Sequence, residues 1–419
     1  MTSTRKAKPT KQNPQIDCDV CVVGAGPAGL VAALMFGQAG LATTLVAPGI
    51  DQADGRSTAL LESSASLLRD LGIWDDIEAA SSLLVRMRLI DATERLIRAP
   101  EVIFDSQELD LPAFGYNILN VDLNRILKEK MEACGSITFV EESGEHYAFG
   151  DNANTVTTSS GQNVTAKLLV AADGRNSNIR TAAGIKVKTW SYPQVAVVGN
   201  LDHTQPHYDT STEFHTRTGP FTLVPMEGYR SSLVCVETPE GAEQLLSLSK
   251  PDLERELERR AHSVLGKFQL ASSFQKFPLS GMNAQTVAGP RTALIGETAH
   301  VFPPIGAQGL NLSLRDVAEL GRTVLKAQAA GKDIGSSDVL SSYAQKRKTD
   351  IKSRTTAVDA LNRSLLSDFL PVQLARSVGL YMADRAPFVR NFLMSQGLAP
   401  GHKRTKNPLS ALIQRVSSR

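Results

Sequence analysis

Apolar and polar residues recur along this chain with two different periods, and the places where the period changes mark its elements. Val20 to Val23 is a short unbroken apolar run, while Leu30 to Phe36 repeats apolar residues at helical spacing, so a strand-to-helix turn lies between them. A second short strand follows at Thr43 to Val46, and Leu168 to Ala172 reads as a third, ending at Asp173-Gly174. Between Gly184 and Met282 the period drops to two. There, Val195 to Gly199, Thr212 to His215, Phe221 to Val224 and Ser231 to Val236 alternate as an antiparallel sheet does. A helix begins near Leu310 after a bend rich in Pro and Gly, and from Ala357 the chain is mostly helical. The pattern predicts an α/β fold into which an antiparallel sheet has been inserted.

The first turn reads Gly24-Ala25-Gly26-Pro27-Ala28-Gly29. Gly24 permits the tight turn, Gly26 lets backbone approach a pyrophosphate, and Gly29 allows the helix to pack close to the strand. The helix start offers free N–H groups and a positive dipole end to phosphates. Pro27 suits a first turn, where no N–H is needed. These residues predict a dinucleotide site. The acid expected at the end of the second strand, to grip an adenosine ribose, is missing. That strand runs into Ala47-Pro48-Gly49, with Asp51 and Asp54 in the loop beyond. No ribose ligand is assigned.

A nicotinamide dehydrogenase would need that fingerprint and its own catalytic domain, and no further segment of the kind seen here. Here two further segments follow in fixed order: Leu168 to Arg180 around Asp173-Gly174, and Ala293 to Leu312 around Gly296-Glu297 and Pro303-Pro304-Ile305-Gly306-Ala307-Gln308-Gly309-Leu310-Asn311. The three together resemble the single-component FAD-dependent aromatic hydroxylases. Gly296 through Arg315-Asp316 and the stretch from Gly379 to Gly401 are most similar to the branch that hydroxylates polyprenylphenols in ubiquinone biosynthesis. The resemblance implies a Rossmann-like FAD-binding domain, a mostly antiparallel substrate domain and a helical C-terminal segment. It implies non-covalent FAD held by Gly24, Gly26, Pro27, Ala28, Gly29, Arg56, Arg125, Asp173, Gly174, Gly296, Glu297, Pro303, Gly306, Gln308, Gly309, Leu310 and Asn311. Glu297 stands where the family has Asp, one methylene shorter. Phe221, Leu223 and Pro225, in the stretch Gly219 to Met226, match the family's substrate cavity. The implied chemistry is reduction by NADPH or NADH, then O2-dependent hydroxylation of the phenol ring through a flavin hydroperoxide, in a site that excludes water. No nucleophile or acid–base dyad is read. His300 is a candidate for proton traffic or for holding cofactor geometry.

The implied division is a flexible basic N-terminus over 1–16 and an FAD domain over 17–85, 110–183 and 285–345. The substrate domain covers 86–109 and 184–284, followed by C-terminal helices over 346–401 and a basic tail over 402–419. A net charge of +2 gives no reason to expect nucleic acid. The charge is uneven, however: no acid follows Asp384, while Arg390, Lys403, Arg404, Lys406, Arg415 and Arg419 do. With apolar Leu361, Leu365, Phe369, Leu380, Phe388 and Phe392 nearby, this end suits either peripheral contact with an anionic membrane or a cap on the core or an oligomer interface. No spanning run or secretion signal is read, so the expected place is the cytoplasm or the inner membrane face. Four cysteines imply no disulfide framework, and Cys18 and Cys21 are expected as strand residues. His203, His207 and His215 match no common zinc spacing. Two rival functions remain at this stage. One is a same-fold prenyl reductase or an enzyme for another aromatic. The other is a non-catalytic member of a ubiquinone-biosynthesis assembly.

Overall fold

The computed structural model describes residues 15–49, 54–93, 99–303, 307–366 and 409–418, together with Ala386, Arg390 and Met394. The basic N-terminus, Gly306 and most of the C-terminal helical segment lie outside the described residues.

The first sheet grows from the strand Gln15–Val23, which pairs in parallel with Thr43–Val46 on one side and Asn163–Ala171 on the other. Ile137–Val140 and Thr292–Leu294 extend it in parallel. Its strands read as near-continuous apolar runs because both faces are covered, as parallel sheets require. Val20, Cys21, Val22, Leu168, Leu169 and Val170 are all fully buried. The helix Pro27–Gln38 covers the sheet with nine buried residues in a row, from Gly29 to Gly37. It is apolar on every side because the helix Gln308–Ala329 packs on its outer face; a Gly321 Cβ would lie 2.1 Å from the Met35 sulfur. Five strands therefore end on one edge, at Val23, Val46, Val140, Ala171 and Leu294, and the loops leaving that edge build the site.

The second sheet is antiparallel apart from one parallel pair. It runs Gln275–Ala284, Val187–His203, Arg230–Glu237, Pro220–Met226, Thr210–His215, Arg86–Asp91 and Val102–Asp105 in spatial order, with His300–Val301 at one edge. One face is packed beneath the helices Pro239–Leu246 and Lys250–Arg260 around Val197, Phe214, Phe221, Leu223, Leu233 and Cys235. The other face looks toward the first sheet. At the far edge, Met394 joins Val102, Phe104 and Phe114, and Arg390 pairs with Glu108. A small sheet of Ser57–Leu61, Gly115–Leu119 and Ser82–Leu84 bridges the two large ones.

The end of the chain differs from the expected basic tail. Leu409–Ser417 is a helix whose Leu409, Ile413 and Val416 are buried against the FAD-side core. Asp70 accepts the Leu409 N–H at 2.9 Å and caps its start. The basic residue Arg415 is left outside, so apolar burial and not charge fixes this segment. Among the described residues no helix is long and apolar enough to cross a membrane. Replacing Leu409, fully buried in the core, by Ala should cost about 2–5 kcal/mol. A lowered urea midpoint for the FAD-free protein, with an unchanged slope, is the expected reading.

Candidate active site

A groove of two lobes runs along the edge where the parallel strands end. One lobe, about 520 Å³, is lined by Gly24, Ala47, Pro48, Gly49, Asn124, Tyr147, Asp173, Asn176 and Asn178, among others. The other, about 540 Å³, lies between the helix starts and the second sheet. Both share Gly26, Pro27, Asp54, Ala172 and Gly174, so they form one elongated site.

The three glycines of the first turn do different work. A Cβ on Gly24, whose φ is +110°, would lie 2.2 Å from the Ala172 carbonyl oxygen, and one on Gly29 would lie 1.9 Å from the Gly24 oxygen. Those two are demanded by the fold itself. A Cβ on Gly26 would meet nothing within 4 Å, so its bareness serves the space in the groove. No side chain caps the helix start and no acid sits in its first turn. Its free N–H groups are therefore open to an anion, which is what a dinucleotide pyrophosphate needs.

The middle and late segments are clasped together. Thr298 bonds to Asp173 through its hydroxyl at 3.3 Å and receives the Gly174 N–H at 3.1 Å. The buried Arg180 guanidinium donates to the carbonyls of Thr298 and Arg175, both at 2.9 Å. Gly296 takes φ +62°, and its N–H donates to Asp316 at 2.9 Å. Glu297, lining the second lobe, is exposed and has no hydrogen bond among the described residues. It is thus ready to accept from a polyol chain. Pro303, Gly309 and Leu310 complete this wall, with Ala307 at φ +53° turning the chain into the helix. Arg56 also lines the lobe. It is held by Asp54 through bonds of 2.7 and 2.6 Å and stacks over Phe277 at 5.1 Å. Burial pushes the Asp54 carboxyl up, but the bonds from Arg56 and Asn120 outweigh it and hold the group below its ordinary value.

Several residues expected at the cofactor are placed elsewhere. Arg125 does not line the groove: it points to solvent and pairs with Asp122 and Glu129, while its neighbour Asn124 lines the first lobe. Successive helical residues face about 100° apart, so only one of the two can turn inward. Asn311 is a staple rather than a ligand. Its amide bonds the carbonyls of Ala59 and Ala307 and accepts from the Leu61 N–H and the Ser64 hydroxyl. Gln308 turns its side chain to Arg354 at 2.9 Å. His300 is buried behind the wall and bonds Asp316 at 2.7 Å.

The substrate-side residues expected from the sequence lie away from the groove. Phe221 and Leu223 lie in the core beneath the helices, Phe221 edge-on to Phe214 at 5.8 Å, and Pro225 is buried with its carbonyl on Asn117. Strand side chains alternate, so Thr222, paired with Val234, occupies the opposite face. The groove is lined instead by Ala196, Val198, Val234, Phe277 and Leu279, and by Arg175, which bonds Ser280 at 3.0 Å. The Val198 and Val234 strands alternate strictly, a signal present in the sequence; which face meets the cofactor is set only by the helices that cover the other. At the other end, Glu141 brings a carboxylate 3.7 Å from a Gly49 Cβ position, next to the corner where the ribose acid is missing. The three histidines do not converge on a common point. His203 bonds Gln205 and Ser231, His207 bonds Met226, and His215 bonds Glu213.

This fold and groove define a protein built around FAD. The family model described as FAD binding domain matches residues 17–357, and the chain belongs to that family, as an FAD-dependent monooxygenase. It is similar to the ubiquinone hydroxylase UbiL of Rhodospirillum rubrum, 31% identical, with 90% of this chain and 88% of that one covered. It is also similar to the 3-demethoxyubiquinol 3-hydroxylase of Escherichia coli, 29% identical over 91% and 98% of the two chains. Among solved structures, the p-nitrophenol 4-monooxygenase PnpA of Pseudomonas putida shares the fold at TM-score 0.75 and 19% identity, over 92% and 98% of the chains.

The different roles of Gly24 and Gly26 are separable. Gly26 already has extended φ and ψ of −70° and 169°, which Ala adopts freely. Gly26→Ala should leave the thermal midpoint of the FAD-free protein unchanged and weaken FAD binding roughly tenfold or more. Gly24→Ala should lower both. Thermal melts and FAD fluorescence titration of the two variants check this.

Proposed function

We propose that this enzyme hydroxylates the aromatic ring of a prenylated phenol or quinol in ubiquinone biosynthesis, using O2 and NADPH or NADH. One observation carries the reading: the second lobe is closed by an apolar sheet face, Ala196, Val198, Val234 and Leu279, with the Phe277 ring beside it. An electron-rich, uncharged ring fits against such a face, and apolar walls keep water from the reacting centre. The names of the relatives similar along nearly the full chain support the same substrate class.

Bound FAD supplies the electron transfer and oxygen activation that no side chain here can. The protein's own residues hold and shape. The bare start of Pro27–Gln38 would take the pyrophosphate, and Glu297 would accept from the ribityl hydroxyls. The helix start at Gly309 and Leu310 would offer N–H groups to the flavin, and Arg56 and Arg175 flank the opening. For the polyprenyl chain we assign an approach from a membrane surface through the apolar and basic residues between 367 and 408. The helix Leu409–Ser417 spends its apolar face on the core.

Incubation with NADPH, 18O2 and a short-chain prenylphenol tests the reading. The expected product carries one 18O atom on the ring. Loss of the phenol without oxygen uptake, or reduction of the prenyl chain, would overturn it. Val234→Trp should keep FAD bound, raise NADPH oxidation without product, and lower product formation by about 10²-fold through displacement of the ring.

A further inference from the structure

Behind the groove wall lies a charged cluster that the site itself does not use. Asp316, fully buried, accepts from the Gly296 N–H at 2.9 Å, from His300 at 2.7 Å and from the Arg347 guanidinium at 2.6 Å. Arg347 continues to Asp350 at 2.5 Å, which also holds Arg354 and Arg315, both at 3.1 Å. Arg354 closes the chain on Gln308 at 2.9 Å, the first residue of the helix that lines the groove. Three guanidinium groups and the His300 imidazole thus meet two carboxylates, so positive charge is in excess whichever way His300 is protonated. Nη1 of Arg315 and Nη2 of Arg347 are buried with no hydrogen-bond partner, so the cluster is not saturated with acceptors. Both points where it touches the wall, Gly296 and the start at Gln308, are next to groove-lining backbone.

We infer that this cluster sets the reduction potential of the bound flavin: its excess positive charge, one residue behind the wall, favours the reduced flavin over the oxidised. Reduced flavin carries a negative charge that oxidised flavin lacks, so a fixed positive charge in a water-poor site stabilises one form selectively. The path is short and rigid. The Gly296 turn is held by Asp316 and the helix start at Gln308 by Arg354, and Arg347 and Asp350 join the two. Burial and the repulsion of Arg354 lower the Arg315 group to about 10, which still leaves it charged at neutral pH.

The test is the two-electron midpoint of the holoenzyme, read by equilibration with a redox dye, in Arg354→Gln and Asp350→Asn. Removing the cation should lower the ratio of reduced to oxidised FAD affinity about tenfold, equivalent to about 30 mV downward for a two-electron couple. Removing the carboxylate should move the midpoint upward. Arg354→Lys should stay near the parent. Opposite signs are the signature of charge, because damage to packing alone would shift both variants the same way or shift only FAD retention. Should Arg354→Gln lose FAD, Arg315→Gln, with its side chain 28% exposed, replaces it as the cation-removing variant and is expected to move the midpoint downward, opposite in sign to Asp350→Asn. Unchanged midpoints, or shifts of the same sign in both variants, would overturn the inference.

Discussion

The structure depends on a carboxylate that has no access to water. Asp316 sits at zero exposure, and a charge in that position is tolerable only when every lone pair finds a donor. Its donors come from three separate parts of the chain: the turn at Gly296, the short strand carrying His300, and Arg347 on the long helix Ser337–Leu366. Burial pushes the Asp316 group up, but His300, Arg347 and the Gly296 N–H more than offset it, and the carboxyl is held below its ordinary value. The convergence fixes the late glycine segment against the helix behind it. Tyr343, also buried, adds a bond from its hydroxyl to the Leu294 carbonyl at 2.9 Å. The loops facing FAD can be bare and rich in glycine because their rigidity is supplied from behind.

A second constraint is the period of the antiparallel sheet. One face is committed to the helices Pro239–Leu246 and Lys250–Arg260, and that commitment leaves Ala196, Val198, Val234 and Thr222 on the other. The apolar wall of the groove is thus a by-product of core packing on the far side. Changing the register by one residue would exchange the two faces entirely.

Much of the cofactor half was legible in the sequence, because glycine spacing at a strand-to-helix turn reports a backbone requirement directly. Gly24 and Gly29 are needed by close approach, and Gly296 by its left-handed φ. Side chains were less legible. Asn311 and Gln308 lie in a cofactor-like segment yet bond the protein, because a helix start that faces a ligand with its backbone frees its side chains for other partners. Arg125 and Asn124 differ by one helical step, and on the antiparallel sheet Val197 and Val198 by one strand step. In each pair the inward residue is chosen by neighbours distant in sequence. At the C-terminal end, where membrane contact, a cap on the core and an oligomer interface were left open, three apolar residues of Leu409–Ser417 pack on the core.

The central claim is that a prenylated phenol lies against the FAD ring within the apolar lobe. Anaerobic titration of the oxidised holoenzyme with such a phenol, followed in the visible flavin bands, tests it most directly. The account predicts a saturable shift of those bands, and its loss when Val234 is replaced by Trp. A protein that retains FAD but shows no band shift at any phenol concentration would contradict it.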